Sequence, residues 1–260
     1  KVAPTLFKEM RAEVIELNVN PDGRNINLNC GSLYPETLAK VVVETGSDIG
    51  LAFDGDGDRL IAVDEKGNII NGDMIIAICA KRLKDENMLK NDTVVTTVMS
   101  NLGLSIALKE MGIKNVVAKV GDRYVLEEMI KHDCILGGEN SGHVIFREYH
   151  TTGDGILTAL QLLSVMKKEN KSLFELSKIM KTFPQVLINV EVKRKAPLEE
   201  IPELRSVISE VEKELGDKGR VLVRYSGTQS ICRVMLEGSD NSGVERLAGK
   251  IARVIEEKLN

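Results

Sequence analysis

Three carboxylates alternate with two glycines in the run Asp54-Gly55-Asp56-Gly57-Asp58-Arg59. Glycine permits positive φ and close backbone approach, so this run can fold tightly with Asp54, Asp56 and Asp58 converging on one point. Carboxylates that close repel one another, and a cation between them relieves the repulsion. Hard oxygen donors select Mg²⁺, Mn²⁺ or Ca²⁺ over zinc. An EF-hand is the sharpest competitor, because Asp54, Asp56, Asp58 and Glu65 fall at its positions 1, 3, 5 and 12. Its sixth position calls for Gly and holds Arg59, and the flanks read as strands rather than helices. A solvated turn without metal is the plain alternative. Arg59 sets a cation beside the carboxylates, suited to neutralising a phosphoryl group in transfer or to a simple ion pair.

Three further loops carry chemistry. Gly137-Gly138-Glu139-Asn140-Ser141-Gly142-His143 follows a short apolar run. In an extended segment Glu139, Ser141 and His143 point to one side, where a carboxylate, a hydroxyl and an imidazole suit the hydroxyls of a sugar. A capped turn with a structural His reads equally well. Arg224-Tyr225-Ser226-Gly227-Thr228-Gln229-Ser230, with Arg233 beyond it, offers a guanidinium fork, two hydroxyls and the backbone N–H groups around Gly227. Those are the parts of a phosphate nest, or of a hydroxyl-rich hairpin turn. Lys119-Val120-Gly121-Asp122-Arg123 lies between a strand and a helix; Asp122 reads as an N-cap, and Lys119 and Arg123 as cations able to line an anionic substrate.

The elements that hold these loops alternate in period. Helices are expected at 6–11, 35–43, 74–83 with Asp73 as cap, 102–111, 123–131, 156–168, 203–215 and 244–258. Strands are expected at 13–18, 49–53, 60–64, 68–70, 94–98, 115–120, 135–136, 143–146, 186–192, 220–225 and 231–237. Such alternation argues for α/β layers with a largely parallel sheet, followed by a small α+β unit. The expected fold class is two mixed or parallel-sheet α/β domains, the first truncated, then a small α+β C-terminal domain. With 43% hydrophobic and 28% charged residues in 260, the chain can bury real cores. A net charge of −4 without a basic stripe argues against nucleic acid. No apolar run reaches the roughly 20 residues of a membrane span. Four dispersed cysteines, none in a C-x-x-C pair, read as reduced thiols of a cytoplasmic protein.

Taken together and in order, the loops resemble the α-D-phosphohexomutase superfamily. The signatures are Asp54-Gly-Asp-Gly-Asp-Arg59, Gly138-Glu-Asn-Ser-Gly-His143 and Arg224-Tyr-Ser-Gly-Thr-Gln229. Asn25-Ile-Asn-Leu-Asn-Cys-Gly-Ser32, Thr97-Val-Met-Ser-Asn-Leu-Gly103, Val120-Gly-Asp-Arg-Tyr-Val125 and Thr151-Thr-Gly-Asp-Gly155 extend the resemblance over essentially the whole chain, toward the amino-sugar members. It implies four domains around a central cleft, the first carrying a phosphoserine that gives and takes back the phosphoryl group. No such serine loop occurs here, and the chain opens on Lys1 at helical apolar spacing. The expectation is a fragment beginning inside the second domain, with residues 1–71, 72–182 and 183–260 as domains two, three and four. A processed or tag-cleaved start is the alternative.

The resemblance further implies one Mg²⁺ on Asp54, Asp56 and Asp58, completed by a phosphoserine oxygen from the missing N-terminal part, with Arg59 catalytic. Glu139, Ser141 and His143 would bind sugar hydroxyls; Arg224, Ser226, Gly227, Thr228 and Arg233 would hold the non-reacting phosphate; Lys119, Gly121, Asp122 and Arg123 would form a cleft loop. Two positions depart from the pattern: Tyr225 stands where many members have Pro, and Gln229 where many have Glu. The implied substrate is a small hexosamine phosphate, glucosamine 6-phosphate, passing through glucosamine 1,6-bisphosphate. A homodimer is a candidate assembly. Phosphoglucomutase or phosphomannomutase activity is the alternative, as is a non-catalytic sugar-phosphate and metal binder for these 260 residues alone, which are expected to be inactive without the serine.

Overall fold

The computed structural model describes residues 2–227 and 229–260, so Lys1 and Thr228 lie outside it. The chain forms two compact units. One runs up to Ser100 and resumes at Leu104–Lys181; the other joins Asn101–Gly103 to Thr182–Asn260.

In the first unit, α1 (Val2–Glu9) precedes a long irregular stretch and α2 (Glu36–Thr45). The strands β1 (Ile49–Phe53), β2 (Leu60–Asp64) and β3 (Ile69–Ile70) then form an antiparallel sheet in that order. Of the mixed or parallel sheets expected, this one is antiparallel throughout, and β2 with β3 form a hairpin around Lys66-Gly67. Phe53 pairs with Leu60, so residues 54–59 reverse the chain directly. Parallel strands would need a long crossover, for which there is no room. The expected strand at 13–18 is absent: those residues find no neighbouring strand, and most are exposed.

Next comes α3 (Gly72–Asp85), then β4 (Thr93–Thr97), α4 (Leu102–Glu110), β5 (Lys114–Ala118), α5 (Asp122–Lys131), β6 (Leu136–Gly138), β7 (Val144–Phe146), α6 (Gly155–Glu169) and α7 (Leu173–Ser177). The sheet order is β5-β4-β6-β7, parallel except for β7. Every residue from Gly72 to Ala80 is buried, so α3 is a central helix, apolar nearly all round. Its N-cap is Asn71, whose side chain accepts from Met74 N–H at 3.1 Å. The expected cap, Asp73, instead lies inside the first turn. Likewise Gly121 takes the cap position of α5 and Asp122 is its first residue. The short α7, held by a Ser172–Glu175 capping box, was not expected.

One core runs from Phe7 through Leu60, Ile75, Leu104, Leu136 and Leu162 to Met180. The stretches read separately as 1–71 and 72–182 therefore share a continuous interior. A second cluster, around Val95, Val125, Met129 and Ile145, fills the face of the sheet under α5.

The second unit is a sheet of β8 (Gln185–Glu191), β10 (Ile231–Glu237) and β9 (Arg220–Tyr225), with β10 central and all pairs antiparallel. Two amphipathic helices, α8 (Pro202–Leu215) and α9 (Asn241–Leu259), cover one face. The alternating burial along β8 shows the other face turned outward. Among the described residues, no helix is long and apolar enough to cross a membrane. All four cysteines are free thiols.

Candidate functional site

The acidic run is the tip of the β1–β2 hairpin. One oxygen each from Asp54, Asp56 and Asp58 lie within 4.8 Å of one another, as a single hard cation requires. The Asp54 side chain is 4% exposed and accepts from Arg59 N–H at 3.1 Å. The Arg59 Nε stands 3.6 Å from Asp54 and 3.7 Å from Asp58, so its charge partly balances the cluster. Asp58 Oδ1 is buried without a hydrogen-bond partner, an orphan that a cation would satisfy. The donor set and this unmet oxygen fit Mg²⁺.

The loop at residues 137–143 packs directly on this tip. Leu60 N–H donates to Gly142 O at 3.1 Å, and Arg59 and His143 form a β-bridge. Gly142 has φ +96°, and a Cβ there would stand 2.2 Å from Leu60 O, so no other residue permits the approach. The expected extended segment is a hairpin turn instead: Gly138 pairs with Val144, and Glu139 N–H donates to His143 O at 2.9 Å. Strand alternation therefore does not set a common face. Ser141 donates to Glu139 Oε2 at 3.3 Å, while Glu139 Oε1 accepts from Gly121 N–H at 2.8 Å. His143 turns the other way, is 4% exposed, and has its ring nitrogens against Asp58 and Gly153.

The Thr151–Gly155 stretch, given no role by the sequence, lies against the 54–59 tip. Gly155 N–H donates to Gly57 O at 2.9 Å. A Cβ on Gly153 would come within 2.6 Å of Asp58 O and 2.7 Å of the His143 ring.

Among the residues expected to form a cleft loop, Gly121 reaches Glu139. Arg123 pairs with Glu127 at 2.7 Å and its side chain is 82% exposed, so its charge is answered within α5. Lys119 sits 5.9 Å from the Tyr124 ring centroid. Asp122 accepts from Arg123 N–H at 2.7 Å.

In the second unit, the third loop is again a hairpin tip, closed by Ser226 N–H to Ile231 O at 2.8 Å. Arg224 on β9 and Arg233 on β10 are direct Cα partners. Burial, and then the Arg233 charge, hold the Arg224 guanidinium below its ordinary pKa. The Nε of Arg233 is buried with no hydrogen-bond partner among the described residues. Like charges placed opposite on adjacent strands destabilise a sheet, and an anion between them reverses the sign. Ser226 is buried, and its Oγ accepts from Gln229 N–H at 3.3 Å. Gly227 is exposed at the tip, and Thr228 lies outside the described residues. Sequence reasoning passed over Lys195, which donates to Ser226 O at 2.8 Å and adds a third cation to this loop. The basic run Lys193-Arg194-Lys195 was the available signal.

Profiles of the phosphoglucomutase/phosphomannomutase alpha/beta/alpha domain II, alpha/beta/alpha domain III and C-terminal domain match residues 1–67, 71–183 and 187–254. A relative named phosphoglucosamine mutase from Syntrophus aciditrophicus (strain SB) is 58% identical over 259 residues, covering 100% of this chain and 58% of its own length. One of the same name from Thermoanaerobacter pseudethanolicus is 55% identical over 262 residues, with coverage of 100% and 58%. The chain thus spans less than two thirds of these relatives. Among solved structures, Aspergillus fumigatus N-acetylphosphoglucosamine mutase in complex with GlcNAc-6P and magnesium superposes with a TM-score of 0.77 at 21% identity, over 99% of this chain and 60% of that one. A phosphoglucomutase/phosphomannomutase family protein from Burkholderia thailandensis gives 0.79 at 23%, over 99% and 58%. At those identities the likeness is one of fold. Three domain matches in consecutive order, spanning nearly the whole sequence, establish that the chain belongs to the phosphoglucomutase/phosphomannomutase family.

Proposed function

We propose that this chain supplies the metal-binding, sugar-recognition and phosphate-binding parts of a cytoplasmic phosphoglucosamine mutase. That enzyme interconverts glucosamine 6-phosphate and glucosamine 1-phosphate. The phosphoserine it uses is carried outside these 260 residues, and residues 1–71, 72–182 and 183–260 act as its second, third and fourth domains. The observation that carries the reading is the converged Asp54–Asp56–Asp58 tip with its unmet Asp58 oxygen. Identities of 58% and 55% to relatives named phosphoglucosamine mutase support the amino-sugar choice. The magnesium and GlcNAc-6P of the Aspergillus fumigatus neighbour support the metal and the ligand class.

The phosphoserine gives its phosphoryl group to the O1 hydroxyl of glucosamine 6-phosphate, forming glucosamine 1,6-bisphosphate. The phosphoryl group on O6 then passes back to the serine, and glucosamine 1-phosphate leaves. When bound, Mg²⁺ neutralises charge on the group in transfer. Asp54, Asp56 and Asp58 would hold it, and Arg59 adds a positive charge beside the transferring oxygens. Glu139 and Ser141 accept and donate to sugar hydroxyls. Arg224, Arg233 and the Ser226–Thr228 tip grip the phosphate that is not reacting.

Mn²⁺ uptake and turnover of glucosamine 6-phosphate test this. The 260-residue chain is expected to bind Mn²⁺ and to turn nothing over. The polypeptide extended at its amino terminus by the phosphoserine segment is expected to be active, and Asp56→Ala to abolish both binding and turnover. Robust turnover by the 260 residues alone would refute the need for that serine. Faster turnover of glucose or mannose phosphate than of the amino sugar would reassign the substrate.

A further inference from the structure

His143 is buried between two partners that fix which of its nitrogens carries the proton. The Gly153 backbone N–H donates to Nε2 at 2.9 Å. A backbone N–H can only donate, so Nε2 must present its lone pair. The proton of the neutral ring then resides on Nδ1, which stands 2.9 Å from Asp58 Oδ2. That bond occupies one oxygen of Asp58 and leaves the other, Oδ1, buried and unmatched beside Asp54 and Arg59. Gly153 is held in turn: a Cβ there would strike both Asp58 O and the His143 ring, so only glycine lets the three groups close up.

We infer that His143 is a positioning residue for Asp58, acting as a neutral Nδ1–H donor locked by the Gly153 N–H, rather than a ligand for sugar hydroxyls. Its bond to Oδ2 fixes the carboxylate so that Oδ1 faces the cation. A neutral donor does this without adding a positive charge that would compete with the metal. The inference rests on the metal reading of the Asp54–Asp58 tip. Partners that orient a ligating carboxylate in this way typically account for about 10–100-fold in metal affinity.

Two measurements on the full 260-residue chain test it. Long-range ¹H–¹⁵N correlation spectra of histidine-labelled, metal-free protein are expected to show His143, assigned by its loss in His143→Asn, with a protonated Nδ1 and an unprotonated Nε2. The opposite tautomer would overturn the inference without involving any metal. Mn²⁺ titration followed by electron paramagnetic resonance gives the second arm. His143→Ala is expected to weaken binding about 10–100-fold. His143→Asn, whose Nδ2 can stand where Nδ1 stood, is expected to restore most of the loss. Binding unchanged in His143→Ala, or weakened equally in both variants, overturns the positioning role while leaving the metal site standing. If the unsubstituted chain takes up no Mn²⁺ at millimolar concentration, the metal reading falls and this inference with it.

Discussion

Arg224 and Arg233 face each other as Cα partners on neighbouring strands, an arrangement a sheet adopts at a cost in stability. Charge-assisted bonds to phosphate contribute about 1.5–3 kcal/mol each, so under the proposed function Arg224→Ala should weaken glucosamine 6-phosphate binding roughly 10–100-fold. The increase in melting temperature on adding phosphate should shrink with it. Calorimetric titration and thermal melts read the two effects; binding left unchanged in Arg224→Ala would remove this arginine from the phosphate site. At this scale the sequence exposed residue types but not directions. The three Asp and the Arg pair were visible because repetition and spacing advertise them. His143 was expected at sugar hydroxyls or as a structural His; its bond to the Gly153 backbone N–H, ten residues away, could not be read, because a backbone donor leaves no mark in a side-chain pattern.

Three of the four candidate loops are tips of antiparallel hairpins: residues 54–59 between β1 and β2, 139–143 between β6 and β7, and 226–230 between β9 and β10. The bounds of β1, β2, β9 and β10 were legible to the residue, since β-branched and apolar runs end abruptly at glycine-rich or hydroxyl-rich turns. Residues 13–18 misled because strand character there comes from composition alone, and a strand exists only if something pairs with it. The start of α3 misled for a different reason. Asn71 and Asp73 are both good caps, and the choice falls to whichever side chain reaches the N3 amide. Asn71 does so at 3.1 Å, from the connection that also presents Gly72 N–H to Asn140 O in the 139–143 loop. Asn71→Ala should therefore cost about 1 kcal/mol, a drop of roughly 2–4 °C in melting temperature, whereas Asn71→Asp should retain most of the cap. A larger loss in Asn71→Ala than a cap can supply would show that this connection also braces the 139–143 loop.

Across the whole molecule, the order of elements and the change of character after Thr182 could be read from periodicity, because each helix and strand carries its own apolar stripe. The single interior shared by residues 7–180 could not, because no local pattern says which stripes meet. The cysteines report on the buried cores directly. Cys79 lies within the buried face of α3, and burial pushes its thiol up to about 12; burial likewise pushes Cys232 on β10 up to about 11. Cys134 is also buried, whereas Cys30 is partly exposed. The thiolate is the reacting species, so Ellman's reagent at neutral pH should find Cys30 first and reach the other three only on unfolding. Cys30→Ser should then abolish the native-state reaction without changing the total titrated in denaturant. The same burial sets an alkaline limit on stability. Between pH 9 and 12 the folded state retains the Cys79 proton and the unfolded state releases it, so each step upward in that range favours unfolding. Urea midpoints should fall from pH 9 upward, and Cys79→Ala should flatten that fall even while lowering stability at neutral pH through the cavity it leaves. A native chain in which Cys79 reacts as fast as Cys30 would mean that α3 is not the centre of the unit.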